Sequence, residues 1–318
     1  MFTLRSLTAL AGAATLTLAL TACGGDADTQ RSGSEKAATG GEIGPDQICP
    51  DGTLAMGVEP FEDPKTLIPV YETLGKALGE ELGCEVEVQI SDTYVAEILA
   101  MQNGKLDIGQ FGPLGYVFAQ KQAGATPLAS FAGEDGKVSS YTGGIWVPKD
   151  SPVKSVEDLA GTTLALSESG STSGDAVPRK ALIDAGIEKD VRAEYAGGHT
   201  EALLALVNGK VDAAEINSQT LASATAEGQF DESSFRQVWK SEPILNDPIA
   251  AGPNMTPEVS AAVQEALLNL PADAVAEIGE YLDFTPPAGK PALVAVTDDD
   301  YKPVAELAEA LDLTTDDL

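Results

Sequence analysis

The strongest constraint on the fold is a pattern that the chain contains twice. Residues 98–107 read ILAMQNGKLD and residues 203–212 read LLALVNGKVD, and each predicts a helix that stops at Asn-Gly before an apolar strand. The segments before them also match, so we predict a β-α-β-α-β unit at about 50–112 and a second at about 161–216. Strands that alternate with helices form parallel sheets covered on both faces. The sequence therefore predicts an α/β protein with two lobes and a cleft between them.

Within these units we predict helices at about 64–82 and 175–185, and strands at 86–90 and 192–195. A further segment near the end of the chain is helical in pattern, with proline breaks, and is long enough to return to the first lobe. The expected lobes are lobe I, residues 49–143 and 245–318, and lobe II, residues 144–244.

Charge and composition exclude several classes of function. The chain has 50 Asp and Glu against 19 Lys and Arg, a formal net charge of −31. This argues against nucleic acid as a partner, because phosphate backbones are bound by clustered cations. A single histidine, His199, excludes metal motifs that need two, and three cysteines cannot build a Cys-rich zinc site. We expect no metal and no cofactor.

Residues 1–22 have the features of an export signal. Arg5 is their only charge, and the apolar stretch of about 14 residues that follows is too short to span a bilayer as a helix. The stretch ends in Leu-Thr-Ala before Cys23, which resembles the bacterial lipobox and implies cleavage and lipidation at Cys23. An ordinary signal peptide with an unrelated cysteine is the alternative. Residues 23–48 are rich in Gly, Ser and charge, so we expect a lipidated cysteine followed by a flexible tether.

The other two cysteines, Cys49 and Cys84, each precede a predicted strand. These strands should be parallel neighbours, so outside the cytoplasm the two thiols are placed to form a disulfide. Two unpaired buried thiols are the alternative.

Polar residues follow the predicted strands, at the edge where α/β sheets bind ligands. Ser171, Thr172 and Ser173 lie in a glycine-flanked loop between a strand and a helix. Their hydroxyls and the helix N-terminus suit an oxyanion without any formal positive charge. His199, in Gly-Gly-His-Thr, opens another helix in the same way. A plain helix N-cap and a packed histidine are the structural alternatives.

Three more residues lie at comparable junctions. Phe111 follows the third strand of the first unit, in Phe-Gly-Pro-Leu. Tyr141 lies at the expected crossing between the lobes, and Asp247 lies at the return crossing.

Together these segments resemble the substrate-binding proteins of phosphate, phosphite and phosphonate ABC importers. The resemblance covers about residues 50–315 and rests on the hydroxyl loop with Arg179 after it, Gly-Gly-His, Asn-Gly-Lys-Val-Asp, Asn-Asp-Pro-Ile, and TDDDYKPV from residue 297. It implies a type II periplasmic-binding-protein fold that closes about a hinge on a small phosphorus oxyanion. The implied partners are an ABC permease and its ATPase. The protein is expected to be a monomer without enzymatic activity, lipid-anchored on the extracytoplasmic face of the bacterial cell membrane.

The resemblance also implies which residues hold the ligand. The hydroxyls and amides of Ser171, Thr172 and Ser173 match the groups that hold the phosphorus oxygens. Further donors are matched by Tyr141 and His199. Asp247 matches an acidic residue at the cleft, where a carboxylate suits a ligand that still carries a proton or an amine.

Two positions depart from the family pattern. Phe111 stands where phosphonate binders often have a tyrosine donor. Gln219 stands where aminoethylphosphonate binders have a glutamate, and Glu215 is a nearby candidate to replace it. A neutral amide at this position favours phosphite, phosphate or a simple alkylphosphonate over an aminated ligand.

Three other functions fit parts of the sequence. The same fold could bind a sulfonate or another small anion, or it could act as a sensor module without a transporter. A hydrolase would use Ser171 or Ser173 with His199 and Asp247, because these are the residue types of a catalytic triad.

Overall fold

The computed structural model describes residues 43–318. The predictions for the signal at 1–22, for lipidation of Cys23 and for most of the tether at 23–48 lie outside the described residues. The last part of the expected tether is helical: α1 (Pro45–Ile48) forms one helical turn directly before Cys49. No helix within the described range is long and apolar enough to cross a membrane.

The strands that the structure describes are, in chain order, β1 (Thr53–Val58), β2 (Glu85–Ile90), β3 (Ile108–Gln110), β4 (Thr126–Phe131), β5 (Ser140–Tyr141), β6 (Gly144–Pro148), β7 (Thr163–Leu166), β8 (Arg192–Tyr195), β9 (Ala213–Glu215), β10 (Phe235–Lys240), β11 (Ile244–Leu245), β12 (Pro248–Ala251) and β13 (Leu293–Ala295). The helices that follow α1 are α2 (Pro64–Leu82), α3 (Tyr94–Gln102), α4 (Pro113–Ala123), α5 (Val177–Asp184), α6 (His199–Val207), α7 (Ser218–Ala226), α8 (Pro257–Asn269), α9 (Ala276–Leu282) and α10 (Lys302–Ala310).

The strands form two large mixed sheets. The six-stranded sheet has the order β13-β4-β12-β3-β1-β2, and the five-stranded sheet has the order β10-β6-β9-β7-β8. In the first, β1 lies parallel between β2 and β3; in the second, β7 lies parallel between β8 and β9. Both predicted β-α-β-α-β units are therefore confirmed. The expectation of purely parallel sheets is wrong, because β12, β4 and β13 extend the first sheet antiparallel, as β6 and β10 extend the second.

The repeated sequence pattern makes the same contacts in both sheets. The side-chain amides of Asn103 and Asn208 each donate to a carbonyl one turn back in α3 and α6, at 2.7 and 2.8 Å. Asp107 accepts from the backbone N–H of a β1 residue at 2.8 Å, and Asp212 accepts from a β7 residue at 2.8 Å. The pattern thus ends a helix and fastens the following strand to its parallel neighbour.

The bounds of α2 match their prediction because local signals define both ends. The Asp63 side chain accepts from the backbone N–H of Lys65 at 3.0 Å, and Pro64 occupies the first turn, where a missing N–H costs least. Gly83 ends the helix with φ 72°, a left-handed conformation that glycine adopts without strain.

Helices cover both faces of the six-stranded sheet. One core packs α2, α8 and α9 against it, and a second packs α3, α4 and α10. Ala176, from the loop before α5, belongs to this second core and not to the cores of the five-stranded sheet. The loop predicted to bind the ligand is therefore packed against helices of the other sheet.

The chain passes between the two sheets at two neighbouring places. It runs through β5 into β6, and it returns from β10 through β11. The short strands β5 and β11 pair antiparallel, with Ile244 opposite Tyr141. This ribbon ties the two crossings together.

A disulfide joins Cys49 to Cys84, with their Cα atoms 6.3 Å apart. Cys84 lies directly before β2, an edge strand of the six-stranded sheet. The crosslink therefore holds the start of the described chain against that edge.

Candidate functional site

A small cavity lies between the two sheets, at the carboxyl ends of their parallel strands. Its volume is about 30 Å³, so it has room for a small ion and not for a ligand of nucleotide size. Most of the residues predicted for the site line it: Ser171, Thr172, Ser173, Tyr141, His199, Gln219 and Asp247.

The hydroxyl loop forms a turn of π-helix at Thr172–Ala176, so α5 begins slightly later than predicted. The Ser171 Oγ accepts from the backbone N–H of Gly174 at 3.1 Å and caps this turn. Only glycine fits at position 174, because an added Cβ would clash with the Ser167 side chain. The cap and the close packing fix the loop in one conformation.

Thr172 reaches across the cavity. Its Oγ1 accepts from the backbone N–H of Leu114, in the first turn of α4, at 2.9 Å. The side chain is buried, as are those of Ser171 and Ser173. The loop therefore contacts both sides of the cavity.

His199 is the first residue of α6 and is 5% exposed. Its Nε2 lies 3.3 Å from Ser171 Oγ, and its Nδ1 lies 3.1 Å from Glu215 Oε2. Burial lowers the pKa of His199, but the nearby carboxylates of Glu215, Glu62 and Glu168 outweigh it, so the pKa is raised. When it is protonated, the imidazole donates from both nitrogens and gives the cavity a charged donor.

Glu215 does not line the cavity. It is 0% exposed, in β9 behind His199, and its Oε1 has no hydrogen-bond partner in the described part of the chain. The sequence left open whether Glu215 contacts the ligand, and its position behind His199 does not favour such a contact. The hydrolase hypothesis chose the wrong acid, because the carboxyl hydrogen-bonded to His199 is that of Glu215 and not that of Asp247.

Asp247 and Tyr141 face the cavity from the ribbon between the sheets. Asp247 is buried, and its Oδ2 accepts from Gln110 Nε2 at 3.1 Å. Burial raises the pKa of Asp247 to about 7 against that hydrogen bond, so this group gains or loses a proton near neutrality. Burial and Asp247 raise the pKa of Tyr141 well above its ordinary value, so its hydroxyl remains a donor.

Gln219 lines the cavity but also links the two sheets. Its Nε2 donates to Asn246 Oδ1 at 2.8 Å and to the Leu282 carbonyl at 2.9 Å. Gln219 is the second residue of α7, whereas Asn246 and Leu282 belong to the chain around the six-stranded sheet. Gln219 differs from a glutamate in its amide nitrogen. This nitrogen donates both of the hydrogen bonds that link the two sheets here.

Phe111 does not line the cavity, although it was expected at the ligand. Its ring is fully buried in the core with Ile98 and Leu114. The next residue, Gly112, lines the cavity instead. Burial in the core stabilises the apolar ring of Phe111 there, whereas the neighbouring residue Gly112 approaches the cavity.

Sequence reasoning missed three acidic side chains from the first unit. Glu59 and Glu62 line the cavity, and Glu97 is fully buried behind it with no partner for either oxygen in the described residues. Burial, together with neighbouring carboxyls, raises the pKa values of Glu59 and Glu97 well above the ordinary range. Glu59 could have been found, because it directly follows β1 at the ligand edge; Glu97 could not, because it lies within an otherwise apolar helix face.

The cavity has an unusual balance of charge for an anion site. No Lys or Arg lines it among residues 43–318, whereas three carboxyl groups do. Arg179 instead lies 3.7 Å from Asp175, outside the cavity. Hydroxyls, backbone N–H groups and His199 are the donors that an anion would meet.

Comparisons with known proteins identify the family. The model of the family "ABC transporter, phosphonate, periplasmic substrate-binding protein" matches residues 56–306. The chain belongs to this family. Its members are the periplasmic substrate-binding components of ABC transporters, and the fold is the type II periplasmic-binding-protein fold that the resemblance implied.

Two curated members of this family illustrate the similarity. The chain is 32% identical over 221 residues to the phosphate-import protein PhnD of Mycolicibacterium smegmatis, covering 65% of this chain and 68% of that protein. It is 26% identical over 225 residues to the phosphonates-binding periplasmic protein of Escherichia coli, covering 68% of this chain and 65% of that protein. The alignments thus span about two thirds of both relatives.

The solved structure of PhnD1 from Prochlorococcus marinus in complex with methylphosphonate has the same fold. It superposes with a TM-score of 0.71 at 19% identity, covering 82% of this chain and 98% of that chain. At this identity the likeness supports the fold alone.

Proposed function

We propose that the protein captures one small phosphorus oxyanion in the cavity and delivers it to an ABC importer. The observation that carries this proposal is the convergence of Ser171, Thr172, Ser173, Tyr141 and His199 on a space of about 30 Å³. The named ligands of the family relatives, phosphate and phosphonates, have the matching chemistry. Phosphite, phosphate and methylphosphonate are the ligand candidates.

Neutral donors and helix ends supply most of the attraction for the anion. The first N–H groups of a helix have no partner within it and carry a partial positive charge. At the start of α6, no side chain caps these groups. Together with the hydroxyl loop they provide an oxyanion site without Lys or Arg.

The carboxyl groups select the protonation state of the ligand. When it is ionised, Asp247 at the cavity wall would repel an oxyanion that carries no proton. A ligand that retains a P–OH can instead donate to a carboxylate oxygen of Asp247. Sulfate has no such proton at neutral pH, so we expect it to be rejected.

The hydrogen bonds of Gln219 favour the hypothesis of a ligand without an amine. Its Nε2 donates to two oxygens outside the ligand space, so this side chain acts as a link at the junction. No glutamate takes the expected place beside it, because Glu215 lies behind His199.

The two sheets with their helices form the lobes that close on the ligand, with expected bounds 49–143 and 245–318 for lobe I and 144–244 for lobe II. Hydrogen bonds between them support a closed arrangement: Leu114 to Thr172, Thr200 to Glu62, Gln219 to Leu282, and Ser223 to Glu280. The paired strands β5 and β11 are the proposed hinge.

The remaining parts of the proposal come from the sequence. Residues 1–22 direct export, Cys23 carries lipid, and residues 23–48 tether the protein to the extracytoplasmic face of the membrane. The protein acts as a monomer beside its permease and ATPase, and it turns over no substrate.

Calorimetric titration of the purified protein tests the proposed ligand. Phosphite, phosphate, methylphosphonate, aminoethylphosphonate and sulfate are titrated separately. We expect micromolar or tighter binding of one unaminated phosphorus compound, with sulfate silent. Removal of one buried donor, as in His199→Ala, should weaken that binding about ten- to a hundredfold. Silence of all five ligands would overturn the proposal.

A further inference from the structure

We propose that Glu215 is a positioning residue that keeps His199 protonated and turned toward the ligand, and thereby sets the upper pH limit of anion binding. The proposal deepens the proposed function of the same cavity. Its first test, however, needs no ligand.

The geometry places the ring of His199 between two partners. Glu215 Oε2 lies 3.1 Å from Nδ1 on the side away from the cavity, and Ser171 Oγ lies 3.3 Å from Nε2 on the other side. Glu215 is completely buried in a strand of the five-stranded sheet. A carboxylate that accepts from Nδ1–H fixes the ring and leaves Nε2 toward the hydroxyl loop and the cavity.

The proton on His199 has no substitute in this site. Within the described residues, the groups that line the cavity include no Lys or Arg. The other ionisable groups there are carboxyls and tyrosines, which provide no positive charge. The imidazolium is therefore the single formal positive charge beside a bound anion, and a neutral ring would leave the anion facing Glu59, Glu62 and Asp247.

Several acidic groups face His199, but one makes contact. Glu215 contacts it from β9, Glu62 approaches from the loop after β1, and Glu168 from the loop after β7. Asp247 and Tyr141 also line the cavity, and Glu201 follows on α6 itself. Burial alone would favour the neutral ring, so loss of the contacting carboxylate should shift the balance toward it.

The first experiment follows the protonation of His199 in the ligand-free protein. Because the chain has one histidine, NMR of protein labelled in histidine nitrogen reports His199 alone, provided that no affinity tag adds another. The protein, Glu215→Gln and the control Glu194→Gln are titrated in parallel. Glu194 is an exposed acid on β8 of the same sheet, so its variant removes one charge away from the cavity.

We expect His199 in the unmodified protein to titrate above the ordinary histidine value of about 6.5. Glu215→Gln should lower the titration midpoint, although its amide oxygen still accepts from Nδ1–H, and Glu194→Gln should leave it unchanged. An unshifted midpoint in Glu215→Gln, or a ring that is already neutral below the ordinary value in the unmodified protein, would overturn the proposal. The measurement on the unmodified protein decides the matter even if the variant does not fold.

The second experiment measures methylphosphonate affinity against pH. Both the protein and Glu215→Gln carry Asp247→Asn, which removes a second group whose pKa lies near neutrality. The two should bind similarly in mild acid, and Glu215→Gln should bind about tenfold more weakly near pH 8, since one charged donor is lost. Parallel profiles would overturn the inference. Absence of methylphosphonate binding to the protein without any substitution would instead count against that ligand, and the NMR result would still stand.

Discussion

The backbone N–H of Leu114 donates to Thr172 Oγ1 at 2.9 Å, and the two residues are carried by different sheets. Leu114 lies in the first turn of α4, where N–H groups lack a partner within the helix. Thr172 lies in the loop that the family resemblance assigns to the ligand. One hydroxyl of this loop therefore also caps a helix on the other sheet, so in the proposed function ligand capture and closure share a side chain.

Thr172→Val should weaken the closed arrangement. Valine keeps the shape of the side chain but leaves the buried N–H of Leu114 without an acceptor, which costs about 1–3 kcal/mol. We expect a larger radius of gyration by small-angle X-ray scattering and roughly ten- to a hundredfold weaker ligand binding. Thr172→Ser, which keeps the hydroxyl, is the matched control. Equal scattering and affinity for the two variants would contradict the capping role.

The ligand-free protein should be more stable in mild acid than in mild base. Asp247 has a folded-state pKa of about 7 against an ordinary value of 3.8, and the pKa of Glu97 is raised in the same direction by burial. The folded state therefore holds more protons than the unfolded state across this window, so stability falls as pH rises through it. Thermal denaturation should give a higher Tm near pH 5 than near pH 8.

Glu97→Gln should flatten that dependence, because it removes one group that keeps its proton in the folded state and releases it on unfolding. We expect its Tm to exceed that of the parent near pH 8 and to match it near pH 5. Glu277→Gln, an exposed acid on α9, is the control for the general effect of net charge. The prediction is wrong if the Tm of both variants depends on pH as steeply as the Tm of the parent.

Gly115→Ala should destabilise the protein through Glu59. An added Cβ at position 115 would clash with Glu59 Oε1, which lies under the first turn of α4. Overpacking of this kind costs about 1–3 kcal/mol. Shortening the acid, as in Glu59→Ser, should make the glycine substitution cheaper, and chemical denaturation of both single variants and the double variant measures this coupling. If the losses of unfolding free energy in the two single variants simply add in the double variant, the two residues are not in steric conflict.

Removal of the Cys49–Cys84 crosslink should lower the stability by about 3–4 kcal/mol, because the bond closes a loop with a sequence separation of 35. Thermal denaturation with and without reductant measures the effect. The variant Cys49→Ala, Cys84→Ala should already show the lower Tm and should not respond to reductant. A parent protein whose Tm is insensitive to reduction would contradict a stabilising bond.

Local signals made part of this fold predictable. The ends of α2 are defined by an acidic cap, a proline and a glycine, and the Asn-Gly-Lys-apolar-Asp pattern forms the same hydrogen bonds in both sheets. The loops after parallel strands also identified most of the cavity, because the carboxyl ends of such strands meet at one edge.

Long-range partners explain what could not be predicted. The antiparallel strands β12 and β13 pair with strands that are distant in the chain. They are also too short to show an alternating hydrophobic pattern in the sequence. Glu97 and Glu215 are acids within apolar segments, and their roles depend on neighbours from other elements. The partner of Thr172 likewise depends on how the two sheets are arranged.

The crosslink between Cys49 and Cys84 also has a mechanical consequence. α1, which precedes it, buries no residue fully and packs Ile48 only partly against the core, so non-covalent packing resists a pull on the N-terminal side less than a covalent bond does. The disulfide instead transmits such a load covalently into the edge strand β2 and the end of α2. Tension on the chain before Cys49 would therefore be absorbed at one edge of the fold, away from the cavity.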